Sequence, residues 1–145
     1  MNELLKGIYR IGVCDLWSKR ITGNETEEQL LKLFSREPQI QEFCFSNDFP
    51  GLDWLKRNAD IAEKYGVIVN REITSMDPFF VAAFGSAKIN LHCSQYCACC
   101  AAARHDATIN ITAIAGAIVH IDLYDNAKVN KIVVPEGVKL TIVRR

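Results

Sequence analysis

Gly85-Ser86-Ala87-Lys88-Ile89-Asn90-Leu91 and, twenty residues further on, His105-Asp106-Ala107-Thr108-Ile109-Asn110-Ile111 follow one pattern: two turn-type residues, then apolar and polar residues in strict alternation. Further copies keep a ten-residue step: Tyr96-Cys97-Ala98-Cys99-Cys100-Ala101, Ala115-Gly116-Ala117-Ile118-Val119-His120-Ile121 and Asp125-Asn126-Ala127-Lys128-Val129-Asn130. A sixth, Glu136-Gly137-Val138-Lys139-Leu140-Thr141-Ile142, arrives one residue late. Self-similarity at a fixed period is the mark of a repeat fold.

Period-two alternation separated by turn residues predicts strands with one buried face. Ala87, Ile89, Leu91 and Cys93 form the first such row, and Cys97, Cys99, Ala101 and Ala103 the second. Two architectures use such rows, an antiparallel β-meander and a β-solenoid. A two-residue hairpin centred on Gln95-Tyr96 would set Cys93 opposite Ala98, so odd positions would share a face with even ones. The apolar positions stay odd until the late sixth copy, which a coil that stacks like on like satisfies without conflict.

The twenty-residue step is the tighter one. Ala87, Ala107 and Ala127 align, as do Ile89, Ile109 and Val129, and Asn90, Asn110 and Asn130. Two ten-residue sides per coil are expected, about three coils in all, with the asparagines passing amide hydrogen bonds up the stack as a structural ladder. The exposed edges of so short a stack need cover, whether from the rest of the chain, from blunting by Pro135 and Arg144-Arg145, or from other chains.

Ahead of the repeats, residues 1–75 are expected to form a small helical head, and 76–145 the β-repeat domain, an α+β chain. Leu4, Leu5, Ile8 and Ile11 have helical spacing, for a helix that stops before Gly12 or runs on toward Trp17. Thr26-Glu27-Glu28-Gln29 reads as a capping box before Leu30, Leu31 and Phe34. Ile40, Phe43 and Cys44 continue as a helix after Pro38, and another is expected from Leu52 to Tyr65, with Gly66 as its left-handed stop. Val67-Ile68-Val69 reads as a strand. Trp17, Phe34, Phe43, Phe45, Trp54 and Tyr65 are read as core side chains rather than a binding box.

Lys and Arg number 17, as do Asp and Glu, and this balance argues against a phosphate-tracking surface, so no nucleic acid is expected. No apolar run approaches the roughly twenty residues of a membrane helix, so no membrane insertion is expected. The opening Met1-Asn2-Glu3-Leu4-Leu5-Lys6 lacks the order of a secretory signal, which predicts a soluble chain, cytoplasmic when synthesised, with reduced thiols.

Cys14 and Cys44 stand alone, whereas Cys93, Cys97, Cys99 and Cys100 crowd together. With His92 and His105 they offer a metal-binding or thiol-redox reading in which His92, Cys93, Cys97, Cys100 and His105 are the ligands. Parity counts against it: Cys97 and Cys100 face opposite sides of one strand, and Cys93, Cys97 and Cys99 occupy positions filled elsewhere by Ala, Ile and Val. A third reading takes Cys100, His120 and Asp122 as a nucleophile set, but no oxyanion donor or phosphate loop accompanies them. No cofactor is expected.

Trp17-Ser18-Lys19-Arg20-Ile21-Thr22-Gly23-Asn24-Glu25-Thr26-Glu27-Glu28, Phe43-Cys44-Phe45-Ser46-Asn47-Asp48-Phe49-Pro50 and Arg104-His105-Asp106-Ala107 together resemble short proteins of gut Bacteroidales and their phages. That group has a helical N-terminus, a repetitive β C-terminus and no assigned activity. The resemblance implies a virion or phage-accessory interaction role and carries over no catalytic residue; the Cys-rich second repeat departs from it. The expected function is therefore a non-enzymatic structural or interaction protein, working with protein partners as a homo-oligomer or a larger assembly.

Overall fold

A computed structural model describes residues 1–12 and 15–145, and the side chains of these apart from Asp15 and Leu16. Cys14 lies outside the described residues. Two units divide the chain, Met1–Tyr65 and Gly66–Arg145.

The second unit is a parallel β-solenoid of nine strands: β1 (Val67–Val69), β2 (Glu72–Met76), β3 (Val81–Phe84), β4 (Lys88–Cys93), β5 (Ala98–Ala103), β6 (Thr108–Ala113), β7 (Ile118–Leu123), β8 (Lys128–Val133) and β9 (Lys139–Arg144). Odd strands form one sheet in the order β1-β3-β5-β7-β9 and even strands a second, β2-β4-β6-β8. Each coil contributes one strand to each sheet, giving about four coils. Ile89 pairs with Ile109 and Ile109 with Val129, and the middle coils repeat every twenty residues as the sequence predicts. The antiparallel meander is thereby excluded.

Two departures have local causes. The first coil is short, Val67 pairing with Ala82 and Glu72 with Lys88, so its step of fifteen or sixteen residues hides it from a search for twenty. Hence the repeats begin at Gly66, not at 76, and Val67-Ile68-Val69 belongs to the solenoid rather than to the head. The late sixth copy reflects a bulge in β8: Ile111 pairs with Lys131 but Thr112 with Val133, leaving Ile132 as the extra residue.

Ala87, Ile89, Leu91, Ala107, Ile109 and Ile111 are fully or almost fully buried between the two sheets. Four-residue turns make the corners. Cys97, Ala107, Ala117 and Ala127 each donate their N–H to the carbonyl three residues earlier. Corners leading from odd to even strands put positive φ on the first central residue, Gly85, His105 or Asp125, and those from even to odd on the second, Tyr96, Gly116 or Gly137. Alternating turn forms let both strands of a coil keep their odd residues inward. Beyond β8, the Arg144 guanidinium donates to the carbonyls of Asp125 (2.9 Å) and Ala127 (2.5 Å). At the preceding corner the equivalent carbonyls, of His105 and Ala107, accept the N–H groups of Asn126 and Lys128. Arg144 thus closes that ladder with a side chain.

The first unit holds six helices among the described residues: α1 (Glu3–Ile11), α2 (Asp15–Arg20), α3 (Glu27–Arg36), α4 (Pro38–Ser46), α5 (Leu52–Arg57) and α6 (Ala59–Lys64). The capping box before α3 forms as read, Thr26 Oγ1 accepting from the Gln29 N–H and Gln29 Oε1 from the Thr26 N–H. The single helix expected from Leu52 to Tyr65 is broken at Asn58, whose side-chain amide donates to the Trp54 carbonyl at 2.9 Å alongside its own N–H at 3.1 Å. Gly66, at φ +77°, supplies the left-handed stop. Trp17, Phe34, Phe45 and Trp54 are buried, while Phe43 and Tyr65 are half-buried, and Trp17 meets Phe43 edge to face at 5.5 Å.

Gly7 sits inside α1, and a Cβ built there would lie 2.7 Å from Phe49 Cε2. Gly to Ala normally strengthens a helix; here overpacking against the buried ring outweighs that gain. Gly7→Ala is expected to destabilise the chain by about 1–3 kcal/mol, measured by denaturant titration.

Candidate functional site

The two rows of corners differ in character. Odd-to-even corners carry polar residues: Ser86, Arg104, His105, Asp106, Asp125 and Asn126. Even-to-odd corners and the strand ends beside them carry exposed large apolar side chains: Met76 (63% exposed), Phe79 (69%), Tyr96 (86%), Ile114 (57%), Ile118 (50%), Ile132 and Val133. Register sets polar residues between some of them, Met76 pairing with His92, His92 with Thr112 and Thr112 with Val133. One long side of the solenoid thus carries a stripe in which exposed apolar side chains are interspersed with polar ones.

Tyr96 is the least economical residue of that stripe. Its φ is +63°, a region that costs a non-glycine residue roughly 1–2 kcal/mol, and the corresponding corners use Gly116 and Gly137. Almost wholly exposed, its ring gains little burial in return.

Beneath the same corners, Cys93, Cys97 and Cys99 all point inward. A carboxylate oxygen of Asp77 and the sulfurs of Cys93 and Cys99 lie within 4.8 Å of one another. Cys93 Sγ lies 3.6 Å from the Cys97 carbonyl and 3.9 Å from that of Ile118, both within reach of its thiol proton. Asp77 is anchored by Ser94, whose N–H donates to Oδ1 at 2.6 Å and whose hydroxyl donates to Oδ2 at 2.8 Å; these bonds hold its pKa below the usual carboxylate range. Burial, with added repulsion from Asp77, pushes the Cys97 thiol up; burial and Cys93 push Cys99 up further. Both shifts disfavour the thiolate forms of Cys97 and Cys99 that redox exchange needs.

The five-ligand set read from sequence does not converge. His92 is on the outward face of the even sheet and Cys100 on that of the odd sheet, and His105 stands at an odd-to-even corner, where its Nδ1 accepts from the Gly85 N–H at 3.0 Å. Of the five, only Cys93 belongs to the cluster, whose other members are Cys99 and Asp77; Cys97 sits beside it, its carbonyl accepting from Cys93 Sγ at 3.6 Å. Alternation is the signal that finds Cys99, because Cys97 and Cys99 share a parity. Asp77 escapes notice because the short first coil displaces it from the twenty-residue frame.

Cys100 and His120 are register partners on the outer face, and His120 Nε2 lies 3.2 Å from Asp122 Oδ2. Arg145 Nε is 3.3 Å from the other carboxylate oxygen, near enough for attraction but not aligned as a hydrogen bond. Partial burial and the Asp122 charge push the Cys100 thiol up, opposite to what a nucleophile needs.

The asparagine ladder forms as read. Asn110 Nδ2 donates to Asn90 Oδ1 at 3.1 Å and Asn130 Nδ2 to Asn110 Oδ1 at 3.0 Å, on the outward face of the even sheet. Asn110 takes part in both bonds and Asn130 in one. Asn110→Ala is expected to cost about 1–2 kcal/mol and Asn130→Ala about half of that, each read from the shift of the denaturation midpoint. Among the described residues, no helix is long and apolar enough to cross a membrane. In comparisons with known proteins, no family model, no curated protein and no solved structure matches the chain.

Proposed function

We propose that this chain is a non-enzymatic structural or interaction protein that assembles with further copies of itself through the apolar stripe of its solenoid. The carrying observation is Tyr96, an aromatic side chain 86% exposed on left-handed backbone where the corresponding corners have glycine. Strain without burial is accounted for when the ring is covered in an assembly. Aromatic residues and Met are enriched at protein interfaces, which suits a stripe containing Tyr96, Phe79 and Met76. The raised thiol of Cys100 favours this reading over the one that takes Cys100, His120 and Asp122 as a nucleophile set. The setting we propose is that of a phage-associated or virion component, as the resemblance implies; mass spectrometry of purified particles tests it.

Light scattering tests the assembly. The wild-type chain is expected to be a dimer or larger over roughly a hundredfold range of concentration, and the Ile114→Lys, Ile118→Lys pair to be monomeric with unchanged circular dichroism. Tyr96→Gly is expected to weaken assembly while leaving the fold as stable as before, or more stable by up to about 1 kcal/mol. A wild-type chain that stays monomeric throughout contradicts the proposal.

A further inference from the structure

We propose that Asp77, Cys93, Cys97 and Cys99 form a binding site for a thiophilic d10 cation, and that Zn2+ is the ion this donor set fits. The site goes beyond the assembly role and does not rest on it. Cys97, the last residue of the corner, and Cys99, the second of β5, are two apart, and both belong to the packed inner face. The turn Ser94-Gln95-Tyr96-Cys97, closed by the Cys97 N–H to the Ser94 carbonyl at 3.2 Å, brings Cys93 from the preceding strand to the same place. Asp77 arrives from the coil next in the stack.

Distances suit a tetrahedral ion. Bonds of about 2.3 Å to sulfur and 2.0–2.2 Å to oxygen place the donors roughly 3.5–4 Å apart, so Asp77, Cys93 and Cys99, already within 4.8 Å of one another, need only small side-chain adjustments, and Cys97, outside that trio, completes the set by turning its thiol toward them. Three sulfur donors and one oxygen select Zn2+ over Mg2+ or Ca2+, which take shells of oxygen. The outer shell is built as well: Ser94 holds both oxygens of Asp77, fixing the carboxylate's orientation and leaving a lone pair on each. Exposed Asp77 and half-buried Cys97 provide the way in, and buried Cys93 and Cys99 the floor. The outward thiol of Cys100 takes no part.

Cobalt titration of the full-length chain, reduced and stripped of metal, tests the assignment. One equivalent of Co2+ is expected to produce thiolate-to-cobalt charge-transfer absorption with the visible bands of a tetrahedral site, and Zn2+ to displace it. Asp77→Asn and Cys97→Ser, both at the rim where folding is not at risk, are expected to weaken Co2+ binding by about tenfold or more, with circular dichroism unchanged. Cys100→Ser is expected to bind like the wild type. The proposal is overturned if the wild-type chain shows no charge-transfer band at a tenfold excess of Co2+. It fails equally if either rim variant binds with wild-type affinity, or if Cys100→Ser loses the band. A Cys93–Cys99 disulfide that forms in air, in a chain that binds no Co2+ after reduction, would reassign the cluster to thiol oxidation and likewise overturn it.

Discussion

Replacing Ile109 by Ala is expected to destabilise the solenoid by about 2–5 kcal/mol, seen as a fall in Tm of about 10 °C or more. Ile109 is fully buried between the sheets, with Ile89 beside it in one neighbouring coil and Val129 in the other. Removing its branched side chain forfeits the transfer free energy and leaves a hole. Backbone ladders on both sides pin β6, so the sheets cannot close over that hole. In a stack where each coil touches only its neighbours, the weakened row also loosens the coupling between the coils on either side. Val129→Ala, at a half-buried position further along the same row, is expected to cost less than half as much. Equal losses at the two sites would mean that burial does not grade along the row.

Trp17→Ala is expected to cost about 3–5 kcal/mol and to speed amide exchange within residues 1–65. The indole is 1% exposed and packs edge to face on Phe43, so truncation removes one of two buried tryptophans described in that unit. Among the described residues, the buried Trp17 Nε1 has no hydrogen-bond partner, a penalty that Phe does not carry. Trp17→Phe is accordingly expected to lose much less than Trp17→Ala, although both shrink the side chain. Similar losses for the two would show that the unpaired N–H costs nothing.

The middle of the solenoid was legible because its spacing is a count of residues. With ten residues per side, parity survives every corner, and that arithmetic alone separates a coil from a meander. The first coil was not legible, because its shorter corners break the count while its strands still pair in parallel. In the head, the Thr26 capping box could be read since its chemistry is local. The break at Asn58 goes with a side chain folded back onto the Trp54 carbonyl, a contact that spacing does not reveal. For the cysteines, parity put Cys93, Cys97 and Cys99 on one face and Cys100 on the other. Proximity to Asp77 depends on the register of the short coil, and the apolar stripe on which corner each residue enters; both are consequences of folding in three dimensions.

Couplings measured by NMR across backbone hydrogen bonds test the stacked coil most directly. The N–H groups of Thr108, Lys128 and Lys139 donate to the carbonyls of Ala87, Ala107 and Ala117, at 2.9, 3.1 and 2.9 Å. Couplings between the nitrogens and carbonyl carbons of these three pairs are the predicted result. Couplings that instead joined β5 to β6, or β6 to β7, in antiparallel register would contradict the solenoid and everything argued from it.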